Sequence, residues 1–148
     1  MSRALNDLSP EFRPQAVELL ARLTEARLAC LITCTLRTAE EQALAVARGA
    51  SKVTHSRHQD GEAIDIVLYE TYQLHGGGDK LDWDQFQHNA DGSVARDAAG
   101  RKIIKSAWLM VGSIAEGLGL RWGGRFGESA PGRGDGWDPG HAERPKAG

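Results

Sequence analysis

The chain has 148 residues, 41% hydrophobic and 26% charged, with a formal net charge of −2 and a sequence pI near 6.2. That length suits one domain with a real core, spanning 1–148, and is too short for two comfortable ones. The lack of a basic excess argues against nucleic acid as the main partner, and no apolar run reaches membrane-spanning length. Met1-Ser2-Arg3-Ala4-Leu5 lacks the apolar segment of a signal peptide, so neither export by that route nor membrane insertion is expected.

Ser9-Pro10-Glu11 supplies a cap candidate, a proline for the first helical position and an acid for the first turn, so a helix is expected from there to about Arg27. Phe12, Ala16, Leu19, Leu20, Leu23 and Ala26 form its apolar stripe. Leu28 to Leu36 is β-branched and apolar in its centre, which predicts a buried strand whose end delivers Arg37. Cys30 and Cys34, the only cysteines, would share a face of that strand too far apart to bridge, and read as buried thiols rather than a zinc pair. Thr38-x-x-Glu41 is a capping box, so a second helix runs from Ala39 to about Arg48 and stops at Gly49. Ala50 to His55 is polar and reads as a loop bordering a cleft, with His55 off any ligand pattern.

Ser56-Arg57-His58-Gln59-Asp60-Gly61-Glu62-Ala63-Ile64-Asp65 is the most informative stretch. Asp60-Gly61 favours a turn, and Ala63 to Leu68 is a short apolar strand, so His58 folds back towards Asp65. On that strand Asp65 shares a face with Ala63 and Val67, while Ile64, Ile66 and Leu68 face a core. A carboxylate among apolar neighbours needs a counter-charge. A divalent metal beside His58 is one.

Residues from about 70 to 101 are irregular and read as an insertion carrying a lid or small hairpin. Asp79, Asp82, Asp84 and Asp91 lack the calcium-loop pattern and suit a solvated acidic loop. Tyr72, Trp83 and Phe86 suit either a groove or a pin between loop and body. Ile103 to Gly117 has Ile104, Trp108, Val111 and Ala115 at helical spacing, Leu118 to Trp122 reads as a short strand, and Gly123-Gly124 lets the backbone turn past the site. Phe126 to Gly136 is a loop, and a frayed tail is expected after Glu143. The expected core is Phe12, Leu19, Leu23, Leu31, Ile64, Ile66, Trp108 and Val111.

Ser56-x-His58-x-x-Gly61-x-Ala63-x-Asp65 resembles the signature of the zinc peptidases that cut peptidoglycan stem peptides, a family of D-alanyl-D-alanine carboxypeptidases, dipeptidases and phage L-alanyl-D-glutamate endolysins. Asp138-Pro139-Gly140-His141 with Glu143 resembles its C-terminal half. Leu36-Arg37-Thr38-Ala39-Glu40-Glu41-Gln42 and Gly119-Leu120-Arg121-Trp122-Gly123-Gly124 resemble its other anchors. Many members have a proline before the second histidine and an aromatic after it, where this chain has Gly140 and Ala142. The resemblance implies an α+β fold, helices around a small mainly antiparallel sheet, and one zinc per chain on His58, Asp65 and His141. Three protein ligands leave one tetrahedral position open, as in catalytic zinc sites. Asp138 would then be the general base, Arg37 would hold the substrate and the developing oxyanion, and Ser56 and Gln42 would support the site.

The implied activity is hydrolysis of a stem-peptide amide, foremost by a monomeric phage-type L-alanyl-D-glutamate endopeptidase made in the cytoplasm and acting on the wall after release. The alternatives are a D-alanyl-D-alanine carboxypeptidase and a non-catalytic wall-binding module with the same fold. A metal nuclease is disfavoured by the charge balance.

Overall fold

The computed structural model describes residues 1–70 and 80–146; Tyr72, the Gly76-Gly77-Gly78 run and Asp79 lie outside the described residues. Helix α1 is Arg13–Glu25, strand β1 Cys30–Cys34, helix α2 Ala39–Ala47, strand β2 Ala63–Glu70 and strand β3 Lys80–Asp82. Helix α3 is Ser106–Gly117, strand β4 Arg121–Trp122 and strand β5 His141–Glu143. The fold is α+β, with an antiparallel sheet in the order β1-β2-β5-β4 and β3 also on β2.

Ile64, Ile66 and Leu68 on one face of β2 join Phe12, Leu19 and Leu23, Trp108, Val111 and Ala115 of α3, and Trp122 in one buried cluster. The period-2 pattern of β2 and the helical stripes therefore meet as their spacing requires. α1 begins four residues after the Ser9 cap read from the sequence, because Ser9 Oγ accepts from the Phe12 N–H at 3.1 Å and caps a turn instead, while Pro14 takes the first turn of the helix. The Thr38–Glu41 capping box forms as expected, and α2 ends before Gly49. α3 starts three residues later than its spacing suggests, since Ile104 pairs with Phe86.

Leu31 departs from the expected core: it is 45% exposed. Among the described residues β1 has β2 as its sole sheet neighbour, which makes it an edge strand rather than a buried one, and Leu31 pairs with Val67 on the face away from Ile64, Ile66 and Leu68. A second departure is in register. Cys30 and Ile32 pair with Leu68 and Ile66, but Cys34 pairs with Asp65, so one extra residue bulges between Ile32 and Cys34. A single-residue slip moves a side chain to the opposite face. Cys30 and Ile32 therefore pack against the core, while Cys34 turns to the side of Asp65. The two cysteines do not share a face.

In the 84–104 region, bridges Phe86–Ile104, His88–Val94 and Arg96–Lys102 make a small antiparallel meander, the hairpin expected there. Phe86 packs against the core and Trp83 is exposed. Asp82 is taken by Lys105 at 2.9 Å and Asp84 by His88. The tail is not frayed at Arg144: its N–H donates to the Glu62 carbonyl at 2.9 Å, and its own carbonyl accepts from Arg57 at 3.0 Å.

Gly140 is fixed by close contact with β2. Its carbonyl accepts from the Ile66 N–H at 2.9 Å, and an added Cβ would lie 2.2 Å from the Ile66 carbonyl oxygen. Ala142, in the core cluster, fills the space beyond. Gly140→Ala is expected to lower stability by roughly 1–3 kcal/mol, the range for overpacking, visible as a lower denaturant midpoint with an unchanged slope.

Candidate metal centre

Ser56 begins a 3-10 turn over Arg57–Asp60, with its Oγ accepting from the His58 N–H at 3.2 Å and its own N–H donating to Gln59 Oε1 at 3.0 Å. That reciprocal cap holds His58, 2% exposed, beneath β2. The Thr35 carbonyl accepts from His58 Nδ1 at 3.0 Å, which puts a proton on Nδ1 and aims Nε2 at the site. Nε2 lies 3.0 Å from Asp65 Oδ2 but without hydrogen-bond alignment, so among the described residues this buried nitrogen has no hydrogen-bond partner.

β5 pairs with β2 so that His141 stands directly opposite Asp65, on the same face. His141 Nδ1 is 2.8 Å from Asp65 Oδ1, and its Nε2 donates to Glu143 Oε1 at 2.8 Å. Glu143 is two residues along the same strand and accepts from Arg121 at 3.0 Å. Asp138 Oδ2 lies 3.8 Å from His141 Nδ1. Its backbone N–H donates to the Gly123 carbonyl at 3.2 Å, and a Cβ on Gly123 would sit 1.9 Å from the Asp138 carbonyl oxygen, so only glycine lets the loop come this close.

Charge in the site follows from these distances. Burial disfavours the His58 imidazolium, but Asp65 and Cys34 outweigh it and push the group up to about 10. His141 is likewise raised to about 9, against burial, by Asp65 and Glu143. The two histidines overcome burial of Asp65 and hold it well below the usual carboxylate range. Glu143 is lowered against burial, chiefly by His141. Asp138 moves the other way, to about 6, through burial and the negative charge of Asp65.

Arg37 is only 15% exposed at its side chain and is not a free surface residue. Its Nη1 donates to Gln42 Oε1 at 2.6 Å, and Nη2 lies 4.0 Å from Asp65 Oδ2 and 3.8 Å from Cys34 Sγ. Gln42 is fully buried and donates to Ser51 Oγ at 2.9 Å and the Val53 carbonyl at 2.6 Å, so it locks the guanidinium against the 50–55 loop. A pocket of about 440 Å³ opens over the site, lined by Arg37, Arg57, His58, Arg121, Asp138 and Lys146 among others. His55 borders it at the surface, 3.0 Å from Asp60, and belongs to no ligand group.

Among the described residues, two groups place ligand atoms within 4.8 Å of one another, Cys34–His58–Asp65 and Asp65–Asp138–His141, with Asp65 common to both. Asp65 thus joins His58 on one side to Asp138 and His141 on the other, with Arg37 beside it. Cys34 and Thr35 were missed, and Glu143, named with the C-terminal motif, was given no role; its place beside His141 follows from the alternation His141-x-Glu143 on a strand. Thr35 acts through its carbonyl, which no side-chain pattern reveals, and Cys34 arrives only through the bulge. The donor set of two imidazole nitrogens, one carboxylate and a nearby thiol fits zinc. Each imidazole has its other nitrogen fixed by an acceptor, the usual support of a metal-ligating histidine.

No family model matches the chain. It is 29% identical over 120 residues to an L-alanyl-D-glutamate peptidase of Listeria phage A118, a match covering 81% of this chain and 34% of that protein. The chain thus spans about a third of the length of this curated relative. Its fold is similar to the crystal structure of the Serratia marcescens L-Ala D-Glu endopeptidase ChiX, with a TM-score of 0.52 and 19% identity, over 94% of this chain and 81% of that one. The sequence match supports the resemblance of this chain to the peptidoglycan peptidases, and the structural match shows a similar fold.

Proposed function

We propose that the chain is a zinc-dependent peptidase that hydrolyses the L-alanyl-D-glutamate bond of the peptidoglycan stem peptide. The observation that carries this reading is the arrangement around Asp65: each of its oxygens faces a histidine nitrogen, at 3.0 and 2.8 Å, and the other nitrogen of each histidine is pinned. His58 Nε2, Asp65 and His141 Nδ1 would hold the ion. Zinc supplies a Lewis acid that polarises the scissile carbonyl and makes water a nucleophile near neutral pH.

The chain's own residues supply the rest. Asp138 accepts the proton of the attacking water and passes it to the leaving amine, a role that its position at the pocket edge and its raised pKa suit. Arg37, held by Gln42, offers N–H groups to the carbonyl oxygen as it becomes negative. The cationic groups of Arg57, Arg121 and Lys146 at the pocket suit a substrate that carries carboxylates, as a D-glutamate-containing peptide does. The names of the phage relative and the fold neighbour, both of which specify this bond, support the choice of endopeptidase over carboxypeptidase.

The direct test is hydrolysis of a synthetic L-Ala-D-Glu stem peptide: removing the metal with a chelator should abolish it, and added zinc should restore it. A folded, zinc-loaded protein without turnover would favour a wall-binding module. Arg37→Ala should keep zinc and fold and lose about 10²- to 10³-fold in rate, the scale of one oxyanion donor. Unchanged steady-state kinetics would remove Arg37 from the reaction.

A further inference from the structure

The β1 bulge gives Cys34 a place that a regular strand would deny it. In unbroken register Cys34 would oppose Ile64 and join the core; with the bulge it opposes Asp65. Its side chain is 2% exposed, so solvent does not explain its orientation. Its sulfur lies with His58 and Asp65 ligand atoms inside a 4.8 Å cluster. A second observation points into the same space: His58, itself 2% exposed, aims at it an Nε2 that lies 3.0 Å from Asp65 Oδ2 and has no hydrogen-bond partner among the described residues. Arg37 Nη2 lies 3.8 Å from the sulfur.

We propose that Cys34 is a ligand of the same ion as His58, Asp65 and His141, so that the resting site is a closed set of one sulfur, two nitrogens and one carboxylate. The inference rests on the metal reading given above and adds the thiolate to it. On binding, the thiol proton leaves to solvent and a metal–sulfur bond forms, with no change of oxidation state. Four protein ligands are the mark of a closed zinc site, whereas catalysis needs one position free. Cys34 must therefore let go when substrate enters, which makes it a built-in brake. A thiolate donor also biases the site towards thiophilic ions and away from magnesium, calcium or manganese.

Cobalt(II) substitution reads the sulfur directly. The cobalt-loaded wild-type protein should show a thiolate-to-cobalt charge-transfer band in the near ultraviolet together with visible d–d bands of a four-coordinate ion. Cys34→Ser should lose the charge-transfer band and keep the d–d bands, and Cys30→Ser, which alters the cysteine on the core face, should keep both. Cys34→Ala serves as the second sulfur-free variant should the serine disturb folding, and the wild-type spectrum is decisive by itself. Cobalt bound in the wild type without a charge-transfer band, or a band that survives in Cys34→Ser, would overturn the proposal while leaving the metal reading intact. Absence of both kinds of band in the wild type would overturn the two together.

Discussion

Asp138→Asn should bind zinc with little change and lose about 10²- to 10⁴-fold in rate, the range for a positioned acid–base group. The substitution keeps shape and removes the proton acceptor. Asp138 is placed for this role by two backbone features, the hydrogen bond to Gly123 and the turn through Gly140. Its pH signature follows from sign. A base must be ionised, so rate falls as pH drops through its pKa; burial and Asp65 raise that value to about 6. A bound cation acts in the opposite direction. The acidic limb of kcat/KM should therefore lie at or below pH 6 in the wild type, and the weak residual activity of the asparagine variant should lack it. An active Asp138→Asn enzyme with an inactive Glu143→Gln would transfer the role to Glu143; loss of zinc in Asp138→Asn would make Asp138 a ligand.

His58→Ala and His141→Ala should each lose tight zinc binding and, with it, all measurable turnover. Either change removes a nitrogen donor and leaves Asp65 with one histidine instead of two. Glu143→Ala supplies the graded control, because Glu143 holds the far nitrogen of His141 and is not placed against the ion. Losing such an outer partner costs about 10- to 100-fold in metal affinity, and the histidine variants should exceed that. Competition titration against a chromophoric chelator measures all three. Full zinc occupancy in either histidine variant would remove that residue from the ligand set.

Where the sequence spoke clearly, local chemistry decided the outcome. The capping box at Thr38 satisfies its own N–H groups within four residues, so it forms regardless of what packs around it. The alternation in β2 assigns Ile64, Ile66 and Leu68 to one face and Asp65 to the other, and two hydrophobic helices then settle which face is dry. His58 and Asp65 lie in one short segment, so a turn and a strand suffice to bring them together. The remote Asp138 and His141 were legible through the family motif, not through any local signal.

What stayed hidden depends on neighbours distant in the chain. Ser9-Pro10 is the better local start for a helix, yet α1 begins at Arg13 behind Phe12, which offers no side-chain cap. Nothing in Leu28 to Leu36 says whether the strand lies at the centre or the edge of a sheet, which is why Leu31 was misplaced. The bulge that turns Cys34 towards Asp65 is a property of the pairing with β2, not of either strand alone. The tether of Arg144 likewise needs Glu62 and Arg57, more than eighty residues earlier.

Mass spectrometry of fragments released from purified peptidoglycan by the zinc-loaded protein tests the central claim most directly, because the new chain ends name the bond. New amino termini on D-glutamate, with matching L-alanine carboxyl ends on the glycan, are the predicted result, and they should vanish with Asp138→Asn. Release of terminal D-alanine alone, or no new ends from folded protein with zinc bound, would contradict it.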